Sequence, residues 1–207
     1  LDACAKAAGV VVCSHLKLDT GMGRIGLSFR DSNNFQLDES KKILAMRNLD
    51  FQGVFMHFAV ADSKNEEHIT FTNEQLRRFL QAVRELKSVH EFKVVHYCNS
   101  AATLTMSKEH CDIVRAGIIL YGIAPSDEIA LPAGMHPVMS LYATVSMVKT
   151  IEADETVSYG RTYKAEGKRR IATICAGYAD GIPRLLSNRG CVLIHGKKAP
   201  IVGRVCM

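Results

Sequence analysis

The sequence predicts an α/β domain of parallel strands joined by crossover helices, followed by a second domain that is all β. Two observations predict it. In the first two-thirds of the chain, short apolar segments alternate with amphipathic helical ones, as parallel strands with helical crossovers do. From Val138 onward strands follow one another without helices, and the stretch APSDEIALPAGMHP separates the two styles. The boundary is expected near residues 134–137, giving domains at 1–135 and 136–207.

The elements follow in order. Residues 10–18 read as a strand, LSFRDSNN (27–34) as a turn-rich stretch, and 37–47 as a helix. Residues 51–58 form the second strand. In TNEQLRRFLQAVRELKS, Thr72 and Gln75 read as a capping box, with Leu76, Phe79, Leu80, Val83 and Leu86 on one helical face. FKVVHY (92–97) is a strand, 101–106 a short helix, and DIVRAG (112–117) opens with a fourth strand. The β domain then offers MSLYATVSMVKTIE, RRIATICAGY and the hairpin CVLIHGKKAPIVGRV, turning around Gly196-Lys197. The basic run Lys168-Arg169-Arg170 is expected to end a hairpin.

Composition excludes several classes. The 207 residues are 47% hydrophobic and 23% charged, ordinary for a soluble globular chain with a sizeable core. No apolar run is long enough to span a bilayer. A net charge of +5 with scattered basic residues and no Trp favours a solvated surface over a nucleic-acid site. Seven cysteines (4, 13, 98, 111, 175, 191, 206) form no C-x-x-C and no zinc spacing with the eight histidines, so no metal is expected. Their odd number, and their place in apolar strands such as TICAGY and CVLIHG, suits reduced, buried thiols in the cytoplasm.

GMGRIG (21–26) matches the dinucleotide fingerprint G-x-G-x-x-G but lacks its setting. The preceding HLKLDT alternates polar and apolar residues, no helix opens after Gly26, and the acid in range, Glu39, falls in a helix-like segment. A dinucleotide is therefore not expected.

The polar residues form a pattern. Arg24 follows the first strand, His57 ends the second, Asn99-Ser100 follow the third and Arg115 ends the fourth. In a parallel α/β barrel the carboxyl ends of the strands share one rim, where active sites collect. Taken singly, His57 reads as a core histidine and Asn99-Ser100 as a helix cap. Arg115 inside IVRAG is harder to dismiss, because a buried guanidinium needs acceptors. The helix start at 100–102 and the backbone of Gly117-Ile118 offer N–H groups for a phosphate. The residues unaided thus support an anionic, phosphate-bearing cofactor at this rim.

HLKLDTGMGRIG, GVFMHFAVAD, HYCNSAAT, VRAGIILYGIAPS, VSYGRTY, ICAGYADGIPR and GRVCM, in this order, closely resemble the motifs of the alanine racemase family, pyridoxal-phosphate (PLP) enzymes of fold type III. The resemblance covers essentially the whole chain. It implies the second half of a PLP-binding TIM (β/α)8 barrel followed by part of an all-β C-terminal domain. The family's cofactor lysine lies in a motif like VKANAYGHG, which this chain lacks. The chain is therefore expected to be an internal fragment, inactive alone, with that lysine upstream of Leu1.

Position by position, the resemblance implies roles. Tyr159 would be the catalytic base on one face of the substrate Cα. Arg24 would bind near the substrate carboxylate, Met207 would add a backbone contact, and Tyr178 would line the substrate entrance. His57 would stack on the pyridine ring, Asn99 would position the ring face, and Arg115 would meet the ring nitrogen. Ser100, Gly117 and Ile118 would hold the phosphate. Lys17 matches a lysine carbamylated in some members, not the cofactor lysine. The implied reaction is two-base interconversion of L- and D-alanine, supplying D-alanine for peptidoglycan, in a cytoplasmic homodimer whose sites are shared across the interface. A tyrosine of pKa ~10 needs guanidinium charge nearby to act as a base near neutral pH, and Arg24 and Arg161 are candidates. Alternatives are a related serine racemase, a non-catalytic PLP-binding protein, or an inactive remnant.

Overall fold

The computed structural model describes residues 1–31, 35–106 and 111–207, in two compact units, Leu1–Met139 and Ser140–Met207. The tail of the turn-rich stretch expected at 27–34 lies outside the described residues.

In the first unit, helix α1 (Asp2–Ala8) precedes strand β1 (Val12–Asp19), β2 (Leu27–Ser28) and helix α2 (Leu37–Leu44). Strand β3 (Leu49–Phe55), helix α3 (Glu66–Leu86), β4 (Val94–His96) and α4 (Ser100–Thr105) follow. The four strands form one parallel sheet in the order β2-β1-β3-β4. Leu16 and Leu18 of β1 point to one face, where they join Phe51, Val54, Phe79 and Leu86 in the core. His15 and Lys17 point to the other, as strand alternation requires.

Register on that second face depends on a bulge. Ser14 pairs with Phe51 but His15 pairs with Gly53, so Gln52 is the extra residue. The shift brings Lys17 opposite Phe55, and Phe55 in turn opposite His96 of β4. A one-residue slip would have sent these side chains to the opposite face.

Helix α3 starts earlier than the capping-box reading allowed. Asn65 caps it, its side chain accepting from the Glu67 N–H at 2.8 Å. Thr72 and Gln75 therefore lie inside the helix, both buried. An Asx cap is at least as good an N-terminal signal as a threonine, and EEHITF continues the helical pattern upstream. Of the expected apolar face, Phe79, Val83 and Leu86 are buried and Leu76 packs against the core, while Leu80 is 40% exposed. Ala82 takes the buried position instead. Burying Phe79 and Leu86 contributes roughly 1.5–3 kcal/mol each.

Helix α2 ends three residues short of the expected Arg47. The fourth strand expected at 112–117 is not formed. Among the described residues its backbone meets the end of β4 and the residues after it through Asp112 N–H to Val95 O (3.3 Å) and Arg115 N–H to Cys98 O (2.9 Å). The Asp112 carboxylate itself takes the Val95 N–H (2.8 Å), displacing the carbonyl that a ladder would use. A 3-10 turn at Ile118–Tyr121 follows.

In the second unit, β5 (Val145–Ile151) pairs antiparallel with β8 (Arg169–Ile174), and β6 (Thr156–Val157) with β7 (Tyr163–Lys164). Strands β9 (Cys191–Ile194) and β10 (Lys197–Pro200) form the hairpin. Its two-residue turn is His195-Gly196, one position earlier than expected. Both residues have positive φ, 50° and 76°, as a type I′ turn requires, and glycine suits the second place. The basic run opens β8 against the end of β5, with Lys168 reaching Glu152 at 3.2 Å.

The thiols differ from expectation. All seven are free, but only Cys98 is buried and Cys111 half-buried; Cys4, Cys13, Cys175, Cys191 and Cys206 are exposed. Sequence apolarity does not say which face of a strand a residue takes, and Cys191 sits on the outward side of β9. Among the described residues no helix is long and apolar enough to cross a membrane, and no His, Cys, Asp and Glu cluster could hold a metal ion.

Candidate active site

The carboxyl ends of β1, β3 and β4 bring the rim residues of the first unit together. Lys17, Phe55 and His96 form a row across the three strands. The Phe55 ring stacks on His96 at 4.9 Å with planes 4° apart, and the Lys17 Nζ lies 5.4 Å from the Phe55 centroid. Lys17 donates to the Leu18 carbonyl at 2.9 Å.

Arg115 is the hub. One terminal nitrogen meets His96 Nδ1, while the other donates to the Met56 carbonyl (2.8 Å) and lies 3.4 Å from both Tyr97 O and His57 Nδ1. These contacts leave its Nε–H without an acceptor among the described residues. His96 Nε2 in turn meets His15 Nδ1 at 2.7 Å, so His15, His96 and Arg115 form one chain of hydrogen bonds. The guanidinium also sits 5.2 Å from the Phe55 centroid, within cation–π range.

Electrostatics are set by burial among cations. Burial, then the charges of Arg115, Arg24 and Lys17, push the His57 pKa down to about 4. Burial, Arg115 and His15 do the same to His96, also to about 4. Both imidazoles are therefore neutral at neutral pH. Burial lowers Lys17 to about 8, with Arg115 and Arg24 adding to it and Asp19 opposing. Burial also lowers Arg115, though a guanidinium stays charged. Arg24 is exposed, yet its charge reaches Lys17, His57 and Arg115 alike.

The phosphate-seat residues are adjacent but partly occupied. Asn99 caps α4, its Oδ1 accepting from the Ala102 N–H at 3.0 Å. The buried Ser100 hydroxyl accepts from the Gly117 N–H at 2.9 Å, linking the two stretches. The first-turn N–H groups of Ser100 and Ala101 have no intrahelical partner, as at any helix start. Ile118, next to Gly117, opens the 3-10 turn.

In the second unit, Tyr159, Tyr178 and Met207 are exposed, and their segments are tied together. Ser158 donates to the Arg204 carbonyl at 2.9 Å. Asn188 accepts from the Gly203 N–H (2.6 Å) and donates to Thr162 Oγ1 (3.1 Å), tying the end of the tyrosine turn to the chain at Gly203. Tyr178 N–H reaches Cys206 O at 2.9 Å, and Ala179 N–H reaches Met207 O at 3.1 Å. Ser158 holds φ 68°, ψ 178°, a region almost confined to glycine, so the turn presenting Tyr159 is strained. Arg161 follows in the same turn and donates to Thr156 Oγ1 at 3.1 Å.

The family model "Alanine racemase, N-terminal domain" matches residues 1–125, and "Alanine racemase, C-terminal domain" matches 138–207. The chain belongs to the alanine racemase family. An alanine racemase of Desulfovibrio desulfuricans is 41% identical over 208 residues, covering 100% of this chain and 54% of the relative. One of Carboxydothermus hydrogenoformans is 44% identical over 195 residues, covering 93% and 51%. The solved alanine racemase of Streptomyces coelicolor A3(2) superposes with a TM-score of 0.88 at 37% identity, over 100% of this chain and 54% of that one. The first unit is thus part of an alanine racemase barrel and the second part of the β domain. The chain spans about half the length of the curated relatives it matches.

Four residues packed at or against this rim were not singled out from the sequence: Asp19, Phe55, Gln75 and His96. Gln75, wholly buried in α3, accepts from the Ala59 N–H (3.0 Å) and donates to the His57 carbonyl (3.3 Å), fixing the backbone where it leaves His57. A polar residue inside an apolar helical stripe was the available signal. For His96 it was a histidine at the end of an apolar strand, the same signal that singled out His57.

Proposed function

We propose that this chain supplies part of a PLP-dependent alanine racemase site, acting in a homodimer that interconverts L- and D-alanine. The observation carrying it is Arg115: a half-buried guanidinium held by Met56 O and His96, with its Nε–H free among the described residues beside a neutral His57. A pyridine nitrogen that keeps its lone pair suits this donor, so the residues fit the cofactor. PLP, when bound, supplies an electron sink for a carbanion at Cα.

The chain's residues would then act as follows. Arg115 would donate a hydrogen bond to the ring nitrogen but keep its own proton, and so would disfavour transamination. His57 covers the ring without adding charge, and Asn99 positions the ring face. Ser100, Gly117 and Ile118 receive the phosphate. Arg24, with the Met207 backbone, holds the substrate carboxylate, and Tyr178 borders the substrate entrance. Tyr159 would move the proton on one face of Cα, and the base for the other face would be the family's cofactor lysine, whose motif is not in this sequence. Lys17, lowered to about 8, holds more of its neutral amine at neutral pH than an ordinary lysine, the form that carbamylation requires.

Arg115→Glu in the complete protein tests the reading. It should slow racemisation and raise transamination. An unchanged rate and unchanged reaction specificity would overturn the role given to Arg115.

A further inference from the structure

GMGRIG lacks the setting of a dinucleotide loop, and its glycines still need a role. We propose that Asp19 is the positioning residue for Arg24: its buried carboxylate pins both limbs of the 20–28 loop. The inference rests on the reading that Arg24 meets the substrate carboxylate.

The loop leaves β1 after Asp19 and returns beside it, since Asp19 pairs with Ser28 and the Asp19 carbonyl accepts from the Phe29 N–H at 2.8 Å. Arg24 stands at the middle of that excursion. Inside it, Asp19 Oδ1 accepts from the Gly21 N–H (3.0 Å) and the Gly23 N–H (3.1 Å), which holds the outgoing limb. Asp19 Oδ2 accepts from Arg30, through Nε at 3.1 Å and through a terminal nitrogen, which holds the returning limb. The Asp19 side chain is only 4% exposed, so water does not compete for these bonds. The two glycines, at φ 141° and 74°, turn their N–H groups inward onto the carboxylate. The amides that would cradle a phosphate in a dinucleotide loop are consumed by an internal anion. Gly23 immediately precedes Arg24, so fixing its amide fixes where the guanidinium begins. With one end free, an exposed arginine on a loop of glycines would sample many positions.

Trypsin reads the loop directly, because Arg24–Ile25 is a cleavable bond at its tip. In the intact holoenzyme, Asp19→Asn should accelerate cleavage there by roughly ten- to a hundredfold, the factor carried by one charge-assisted hydrogen bond. Cleavage follows the open population when closing is fast. Arg30→Met, which frees only the returning limb, should give a smaller acceleration. Cleavage after Lys164, in the other unit, serves as the internal standard for intact folding. The Asp19→Asn enzyme should also show a raised KM for alanine with a smaller change in kcat, since loss of a uniform substrate contact acts on KM. Unchanged cleavage at Arg24 overturns the proposal, as does acceleration equalled at Lys164. Selective acceleration with unaltered alanine kinetics supports the loop assignment and instead overturns the role of Arg24 at the substrate.

Discussion

Gly53→Ala is the most informative single change at the rim. Gly53 faces His15 across the β1–β3 pair, and a Cβ built on it would lie 2.6 Å from His15 Nδ1, 2.7 Å from Cε1 and 2.9 Å from Cγ. All three are closer than real Cβ contacts, so the imidazole must leave and with it the 2.7 Å bond to His96. His15 is exposed and can swing out, but the buried His96 then loses its partner, and a buried donor left unpaired costs about 1–3 kcal/mol. Against that, alanine loses less backbone entropy than glycine, a gain of about 0.4–1 kcal/mol. The net expectation is about 1–2 kcal/mol of lost stability. With a urea slope of about 1–3 kcal/mol/M, the midpoint should fall by roughly 0.5–1 M, followed by far-ultraviolet circular dichroism. The decisive comparison repeats the substitution in a His15→Ala background. There the clash partner is gone, so Gly53→Ala should become neutral or stabilising by about 0.4–1 kcal/mol. An equal cost in both backgrounds would show that His15 does not occupy this space, and the histidine chain would fall with it.

Three further outcomes follow. His57 and His96 titrate near 4 when folded and near 6.5 when unfolded, so the unfolded chain binds more protons between those values. Their contribution is whole above the unfolded value and is lost as pH falls from about 6.5 toward 4, at up to about 1.4 kcal/mol per pH unit for each group, and less for the half-exposed His57; urea midpoints between pH 7 and 4.5, beside imidazole NMR titrations, check this. Asn188, at φ 56°, braces the Tyr159 turn, so Asn188→Ala should lower kcat by roughly tenfold and destabilise more than Asn188→Gly, which loses the same bonds without the strain. Tyr159→Phe and Arg115→Glu subunits of the complete protein, each impaired alone, should on exchange regain up to roughly a quarter of wild-type activity if Tyr159 completes its partner's site; no recovery would mean that Tyr159 serves its own chain.

Legibility in the sequence tracked the range of each interaction. The alternation of β1, β3 and β4 with helices was readable, because strand and helix periods are local. The strand expected at 112–117 was misread because VRAG has the right composition, while the competing Asp112 carboxylate acts across 17 residues on Val95. The capping box at Thr72 and Gln75 had the right spacing and the wrong place, since nothing local distinguishes a cap from a buried polar pair inside a helix. Which rim side chains face each other could not be read at all: it depends on the bulge at Gln52, one residue that decides which face of β3 meets Lys17 and His15.

That dependence explains why the polar strand ends were informative as a set. Arg24, His57, Asn99-Ser100 and Arg115 each had a bland local explanation. Asn99 does cap α4, and His57 is half-buried as a core histidine could be. What separates a rim from a collection of caps is that the groups perturb one another. Arg115 lowers His57, His96 and Lys17 together, and Arg24 lowers His57, Lys17 and Arg115. Three cationic side chains crowd two neutral imidazoles, and the carboxylates nearby are already engaged: Asp19 by Arg30 and two amides, Asp112 by the Val95 N–H. A cluster of like charge raises the free energy of the folded chain and is relieved when an anion binds among them. The rim therefore favours an anionic ligand, which supports the phosphate-bearing cofactor and amino-acid carboxylate proposed for it.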